Sequence, residues 1–149
     1  MIRIPGYEVL LAKKKRMKDY TQRREGAILP NVMTAFRNCI LNHWPLYITY
    51  QSEEEDSLYK RWCLPFVLGI SKFTQNHLAR AWVYKGKTET FYGWKTLRLD
   101  RCRNVAILST QNFLPKPLYN PYGDEDFSEI ILQAKFNPDQ YPDLNIVDD

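Results

Sequence analysis

The hydrophobic period of this chain changes from helical to alternating at Leu46, and that change limits the folds open to it. Before it, Val32, Ala35, Phe36, Cys39 and Ile40 recur at helical spacing behind Pro30-Asn31. This predicts a helix from an Asn31 N-cap to about Asn42. After it, apolar residues alternate. Leu46, Ile48 and Tyr50 form a first strand, and residues 59–70 read as a second, with Pro65 marking a bend or an edge. Segments 77–84, 94–99 and 105–108 read as three more strands. One helix followed by five short strands predicts a mainly β, α+β unit built on a strongly bent sheet or barrel.

The flanks are different in kind. Residues 1–11 read as a short strand. Residues 13–25 carry seven basic residues in thirteen with little apolar periodicity, an exposed helix or a mobile arm. Residues 53–56 make an acidic turn, and residues 112–123 hold three prolines and read as an extended arm. Phe127, Ile130, Ile131 and Ala134 fit one face of a last helix over 124–136, with acidic residues in its first turn. The expected division is therefore a basic arm over 1–30, the sheet domain with its leading helix over 31–111, and a Pro-rich arm, short helix and acidic tail over 112–149.

Charge follows the same division. The net charge of +4 hides +5 over residues 1–30, +6 over 31–121 and −7 over 122–149. A basic body suits polyanions such as nucleic acid or nucleotides, and the acidic tail either shields that surface or keeps the protein in solution. Mean hydropathy is −0.49 and no apolar run approaches 18 residues, so no membrane span or membrane partner is expected. The basic residues near the N-terminus follow a very short apolar stretch, the reverse of a signal peptide. Three cysteines, Cys39, Cys63 and Cys102, lack paired spacing. They are expected to be reduced thiols of a cytoplasmic protein.

Motifs for catalysis are scarce. Gly86-Lys87 lacks the upstream glycine and the following Ser/Thr of a phosphate loop. His43 and His77 stand 34 residues apart and, with the scattered cysteines, give no zinc spacing. A Cys–His pair meeting in space has no local support. No enzyme, no metal and no cofactor is expected.

What remains is arginine beside aromatic residues on strands: Arg80 with Trp82, Lys60-Arg61-Trp62, and Arg98-Leu99-Asp100-Arg101. Guanidinium forks grip phosphate and an aromatic ring stacks a base beside it. An ion-paired sheet exterior accounts for the same residues, with Asp100 neutralising Arg98 or Arg101. The tryptophans then belong to the core.

The run Leu97-Arg98-Leu99-Asp100-Arg101-Cys102, entered from Gly93-Trp94, resembles the closing F-R-L-D-R-I motif of WYL domains. Further matches precede it in order. Tyr50 lies in an opening I-x-Y strand, Arg61 and Pro65 in an R-x-x-x-P strand, and Leu78-Ala79-Arg80-Ala81-Trp82 at the place of the Trp-Tyr-Leu tripeptide, which is absent here. Pro115-Lys116-Pro117-Leu118-Tyr119-Asn120-Pro121 is similar to the arm of divergent, stand-alone WYL-like proteins. The resemblance spans about residues 32–123. It implies an Sm-like, SH3-type five-stranded barrel that binds nucleic acid or nucleotides through a basic pocket. Carried over residue by residue, the pocket comprises Arg80, Arg98 and Arg101, with Trp82, Arg61 and Tyr50 beside them. Residues 1–30 are too short for the helix-turn-helix that precedes WYL domains in transcription regulators. The expectation is therefore an accessory or regulatory protein for which single-stranded DNA or RNA is the ligand. The rival is a protein–protein adaptor, or a homo-oligomeric assembly factor docking on a larger machine.

Overall fold

Pro30 opens the helix: proline at the first helical position has no N–H to leave unbonded and its φ is already helical. In the computed structural model, which describes residues 25–52, 57–85 and 91–142, α1 runs Pro30–Asn42. The capping position falls on Leu29, whose carbonyl accepts the Val32 and Met33 N–H groups, and Asn31 lies inside the helix instead of capping it. The buried face is Val32, Ala35, Phe36, Cys39 and Ile40, as the spacing predicts. The helix ends at His43, which takes a left-handed conformation and stacks its ring on Phe136 at 4.2 Å.

The strands are β1 (Leu46–Gln51), β2 (Leu58–Ser71), β3 (His77–Lys85), β4 (Phe91–Arg98), β5 (Cys102–Ile107) and β6 (Phe127–Gln133). They form one antiparallel sheet of order β4-β3-β2-β1-β5, with β6 added to β2. The mainly β, α+β expectation holds. The five-stranded barrel does not: β4 and β5 stand at opposite ends of the ladder, joined in sequence by a 3-10 turn at Leu99–Arg101, and the sheet stays open. The fourth strand begins three residues earlier than the alternation suggests, and the fifth begins at Cys102.

The strand β2 organises the rest. Its first half pairs with β1 (Gln51↔Leu58 to Leu46↔Cys63) and its second half with β3 (Cys63↔Val83 to Ile70↔His77). Pro65 is therefore central and buried, not at an edge. The β3 register shifts between Pro65 and Val67, a bulge that tolerates the missing N–H and bends the strand. Beyond the bulge, Val67–Ser71 gains a second partner, β6. The helix expected over 124–136 is thus a strand. Its apolar residues fit both periods, and β-branched Ile130-Ile131 together with the open edge of β2 decide for the sheet. Gly69 makes this pairing possible, because a Cβ there would lie 2.5 Å from the Glu129 carbonyl oxygen.

Phe66, fully buried, gathers an aromatic cluster from the C-terminal segment: Phe113 at 4.9 Å, Tyr119 at 4.8 Å, and Trp94 of β4 at 5.0 Å. The Pro-rich arm therefore wraps the sheet. It is held by Trp94 Nε1–H donating to the Pro117 carbonyl (2.8 Å) and Tyr119 Oη–H donating to that of Ala134 (2.6 Å). Cys39, Cys63 and Cys102 are free and buried. Burial pushes the Cys39 and Cys102 thiols up to about 12, with Asp100 adding to the effect at Cys102. Among the described residues, no helix is long and apolar enough to cross a membrane. The expected short strand over 1–11, the basic arm before residue 25, the acidic turn at 53–56 and the last seven residues lie outside the described residues.

Candidate functional site

The six candidate residues fall into two groups. Arg98 ends β4 and Asp100 sits in the turn that follows, so two residues of chain bring their side chains into register. Arg98 Nε donates to Asp100 Oδ1 (2.9 Å) and Nη2 to Oδ2 (2.6 Å), a fork-to-fork pair whose two side chains are each only 5% exposed. Asp100 Oδ2 also accepts the Gly26 N–H (2.8 Å), and the Tyr50 hydroxyl accepts the Arg98 N–H (3.1 Å). Burial pushes the Asp100 carboxyl up. Hydrogen bonds from Arg98 and Gly26 and the charges of Arg98 and Arg101 outweigh that and hold it below the usual carboxylate range. Beside this knot Tyr50 packs on Tyr59 (5.4 Å), and the Arg61 guanidinium lies over the Tyr59 ring (4.5 Å). Arg101 is half-buried in the same turn. Next to it, Glu25 Oε1 accepts the His77 N–H (2.7 Å) and lies 3.0 Å from His77 Nδ1, so residues 25 and 26 are both tied to the sheet.

Arg80 lies elsewhere and has other partners. On β3 it stands opposite Thr96, with Trp82 two residues on and opposite Trp94. Its Nε donates to Asp124 Oδ2 (2.7 Å), Nη2 to Asp124 Oδ1 (3.0 Å) and Asp126 Oδ2 (2.7 Å), and Nη1 to the Thr96 hydroxyl. The Asp124 hydrogen bonds, against the opposing effect of burial, raise the Arg80 pKa. Burial pushes Asp124 up, but the bonds from Arg80 and the Asp126 N–H and the Arg80 charge hold it below the usual range. A cleft of about 390 Å³ opens here, walled by Trp94 and Tyr119. With Arg80 it carries Asp124, Glu125 and Asp126, an acidic excess that repels phosphate as it stands.

A second opening has the opposite character. Trp62, Leu64, Trp82, Tyr84 and Trp94 share one face of the sheet by register and alternation. At its end a groove of about 570 Å³ is walled by Trp62, Tyr84, Leu108 and Leu114; among the described residues that line it Lys116 is the charge and there is no carboxylate. Trp62 is partly exposed and braced by Tyr47 at 4.9 Å. Lys116 Nζ sits 5.8 Å over the Trp82 ring, and Trp82 meets Trp94 edge-on at 5.4 Å, so Trp82 links groove and cleft. The sequence sets Trp62 beside Arg61 among the aromatic residues on strands, but the pocket implied by the WYL resemblance includes Arg61 and not Trp62. The alternation starting at Tyr47 carries the signal, since it puts Tyr47 and Trp62 opposite one another. Asp124, Asp126 and Lys116 had no local signal, because their partners lie more than 30 residues away. Among the described residues no group of His, Cys, Asp and Glu could hold a metal ion.

No family model matches the chain, and no curated protein matches it. Among solved structures, it superposes on the proteasome accessory factor B/C of Arthrobacter aurescens with a TM-score of 0.52, over 66% of this chain and at 15% identity. The chain spans 14% of that protein's length, so what the two share is the fold of this sheet unit.

Proposed function

We propose that the chain is a non-enzymatic accessory protein of the cytoplasm that binds nucleic acid or nucleotides, with single-stranded DNA or RNA as its ligand. The observation that carries this reading is the groove at Trp62, Tyr84 and Lys116, whose lining among the described residues holds a lysine and no carboxylate. An exposed indole is a platform for an unstacked base, and a lysine beside it meets the backbone. The WYL-like motif series, the basic body and the fold likeness to an accessory factor support it. The burial of Arg98 and its fork with Asp100 favour the aromatic face over that knot as the binding surface. Titration of a fluorescent single-stranded oligonucleotide over a range of salt tests the reading. Trp62→Ala should weaken binding by about 5- to 150-fold, the worth of one stacked base. Lys116→Ala should flatten the salt dependence by about one unit. Absence of binding at low salt, or binding indifferent to Trp62→Ala, rejects it.

One observation favours the adaptor as a second reading. The Tyr119 N–H bonds the Lys116 carbonyl (3.2 Å), closing a turn in which Leu118 takes φ 66° and is 83% exposed, with Tyr122 nearby at 94%. A left-handed leucine this exposed is strained, which suits a side chain presented to a partner. Leu118→Gly should stabilise the fold while abolishing any such association.

A further inference from the structure

Arg80 is held by its own chain in the way a guanidinium holds phosphate. Two of its nitrogens meet both oxygens of Asp124, and a second carboxylate, Asp126, completes the grip. Those carboxylates come from the turn before β6, 44 and 46 residues away. The turn is shaped by Asp124, whose Oδ1 accepts the Asp126 N–H (3.0 Å), and is hung on the sheet by the Lys72 N–H on the Asp126 carbonyl (3.0 Å). Solvent reaches this pair as it does not reach Arg98–Asp100. The Arg80 side chain is 21% exposed, Asp126 is about half exposed, and the cleft beside them has room for a ligand group. With the carboxylates swung away, Arg80 would face that cleft, and the charge of Lys72, which already acts on Asp124, would add to its pull on an anion. The cleft adjoins the groove through Trp82 and Trp94.

We infer that Asp124 and Asp126 are an internal stand-in for phosphate: they occupy Arg80 in the free protein, and a backbone phosphate of the bound strand takes Arg80 by displacing them. The inference rests on the nucleic-acid reading for the identity of the ligand. It adds that the turn carrying Asp124 and Asp126 competes with ligand and moves when ligand binds. Competition of this kind couples two equilibria, so weakening the internal partner must tighten the external one.

The same labelled oligonucleotide is titrated into the full chain and into Asp124→Asn, Glu129→Gln, Arg80→Ala and Asp124→Asn/Arg80→Ala. Asp124→Asn should bind about tenfold more tightly, within the usual range of such coupling. Glu129→Gln, which removes one exposed charge from the same segment, should change affinity by less than about twofold. In the double variant the gain should vanish. A gain from Glu129→Gln equal to that from Asp124→Asn, or a gain that survives loss of Arg80, overturns the inference in favour of plain charge repulsion. The parent protein gives an independent readout. Exchange of the Asp126 amide, now bonded to Asp124, should accelerate when ligand is added, and unchanged protection in the complex overturns the inference. The two readings separate cleanly. Binding lost in Trp62→Ala without a gain in Asp124→Asn leaves the groove and removes the stand-in. A gain in Asp124→Asn with indifference to Trp62→Ala does the reverse. Inorganic pyrophosphate, which has no base to stack, should bind Asp124→Asn more tightly than the parent, and equal binding by both overturns the inference.

Discussion

Arg98 and Arg80 are the same side chain in the same kind of fork, and they differ in everything that decides their use. Arg98 meets a carboxylate two residues away, both side chains are almost wholly buried, and the acceptor is also bonded to the Gly26 N–H. Arg80 meets carboxylates from a distant turn at a place that water reaches. A buried pair formed by chain neighbours has nowhere to go, because opening it leaves charge in the interior. A partly exposed pair formed across a long loop can open at modest cost. Proximity in sequence makes the first pair scaffold, and distance in sequence makes the second adjustable.

Acid should erase this contrast and has the largest expected effect. Asp100 and Asp124 are both held below the unfolded carboxylate value of about 3.9. The folded state therefore binds fewer protons than the unfolded one. Its added stability is complete above about pH 5 and is lost as pH falls through the folded values. Chemical denaturation at pH 7 and pH 3 measures the loss, and the Asp100→Asn/Asp124→Asn variant should show a shallower one. Next in size, Asp100→Ala at neutral pH should cost about 3–5 kcal/mol, because it strands a buried guanidinium and releases Gly26; a thermal melt reads it. Asp124→Asn should cost only about 1–2 kcal/mol, since Arg80 keeps Asp126, Thr96 and some water. Equal costs for the two substitutions would show that Arg80 is scaffold as well. The smallest effect is Tyr50→Phe, about 1 kcal/mol, from the Arg98 N–H losing its acceptor. A melt indistinguishable from the parent would mean that water replaces the phenol there.

The same divide between near and far explains what the sequence made legible. The helix face from Val32 to Ile40 was readable because helical spacing is a local property. The Arg98–Asp100 pairing was legible in part: closeness in sequence brings the carboxylate within reach of Arg98 and of Arg101, and the 3-10 turn at Leu99–Arg101 gives the fork to Arg98. The helical reading of 124–136 failed at a distance. Phe127, Ile130, Ile131 and Ala134 fit a helix until the open edge of β2, some 60 residues earlier, is taken into account. The closed barrel failed for a related reason. A ladder of five strands counts the partners each strand can have, but it does not say whether the two ends meet. Among the site residues, Tyr50 was found beside Arg98, while the partners of Arg80 stayed hidden because no pattern links positions 80 and 124.

The double partnering of β2 also bears on how the chain is made. Residues 67–71 have β3 beside them soon after they leave the ribosome, because the connecting turn is short. Their other edge waits for β6, which pairs Ser71 with Phe127 and Val67 with Gln133. At roughly 5–20 residues per second, that edge stays bare for on the order of 3–13 s of synthesis. During this interval a nascent chain presents a ready template for a neighbouring strand, the usual opening for swapped or aggregated products. Crowded polysomes should therefore be the harshest setting for this protein, and slow translation of the C-terminal third its most hazardous step.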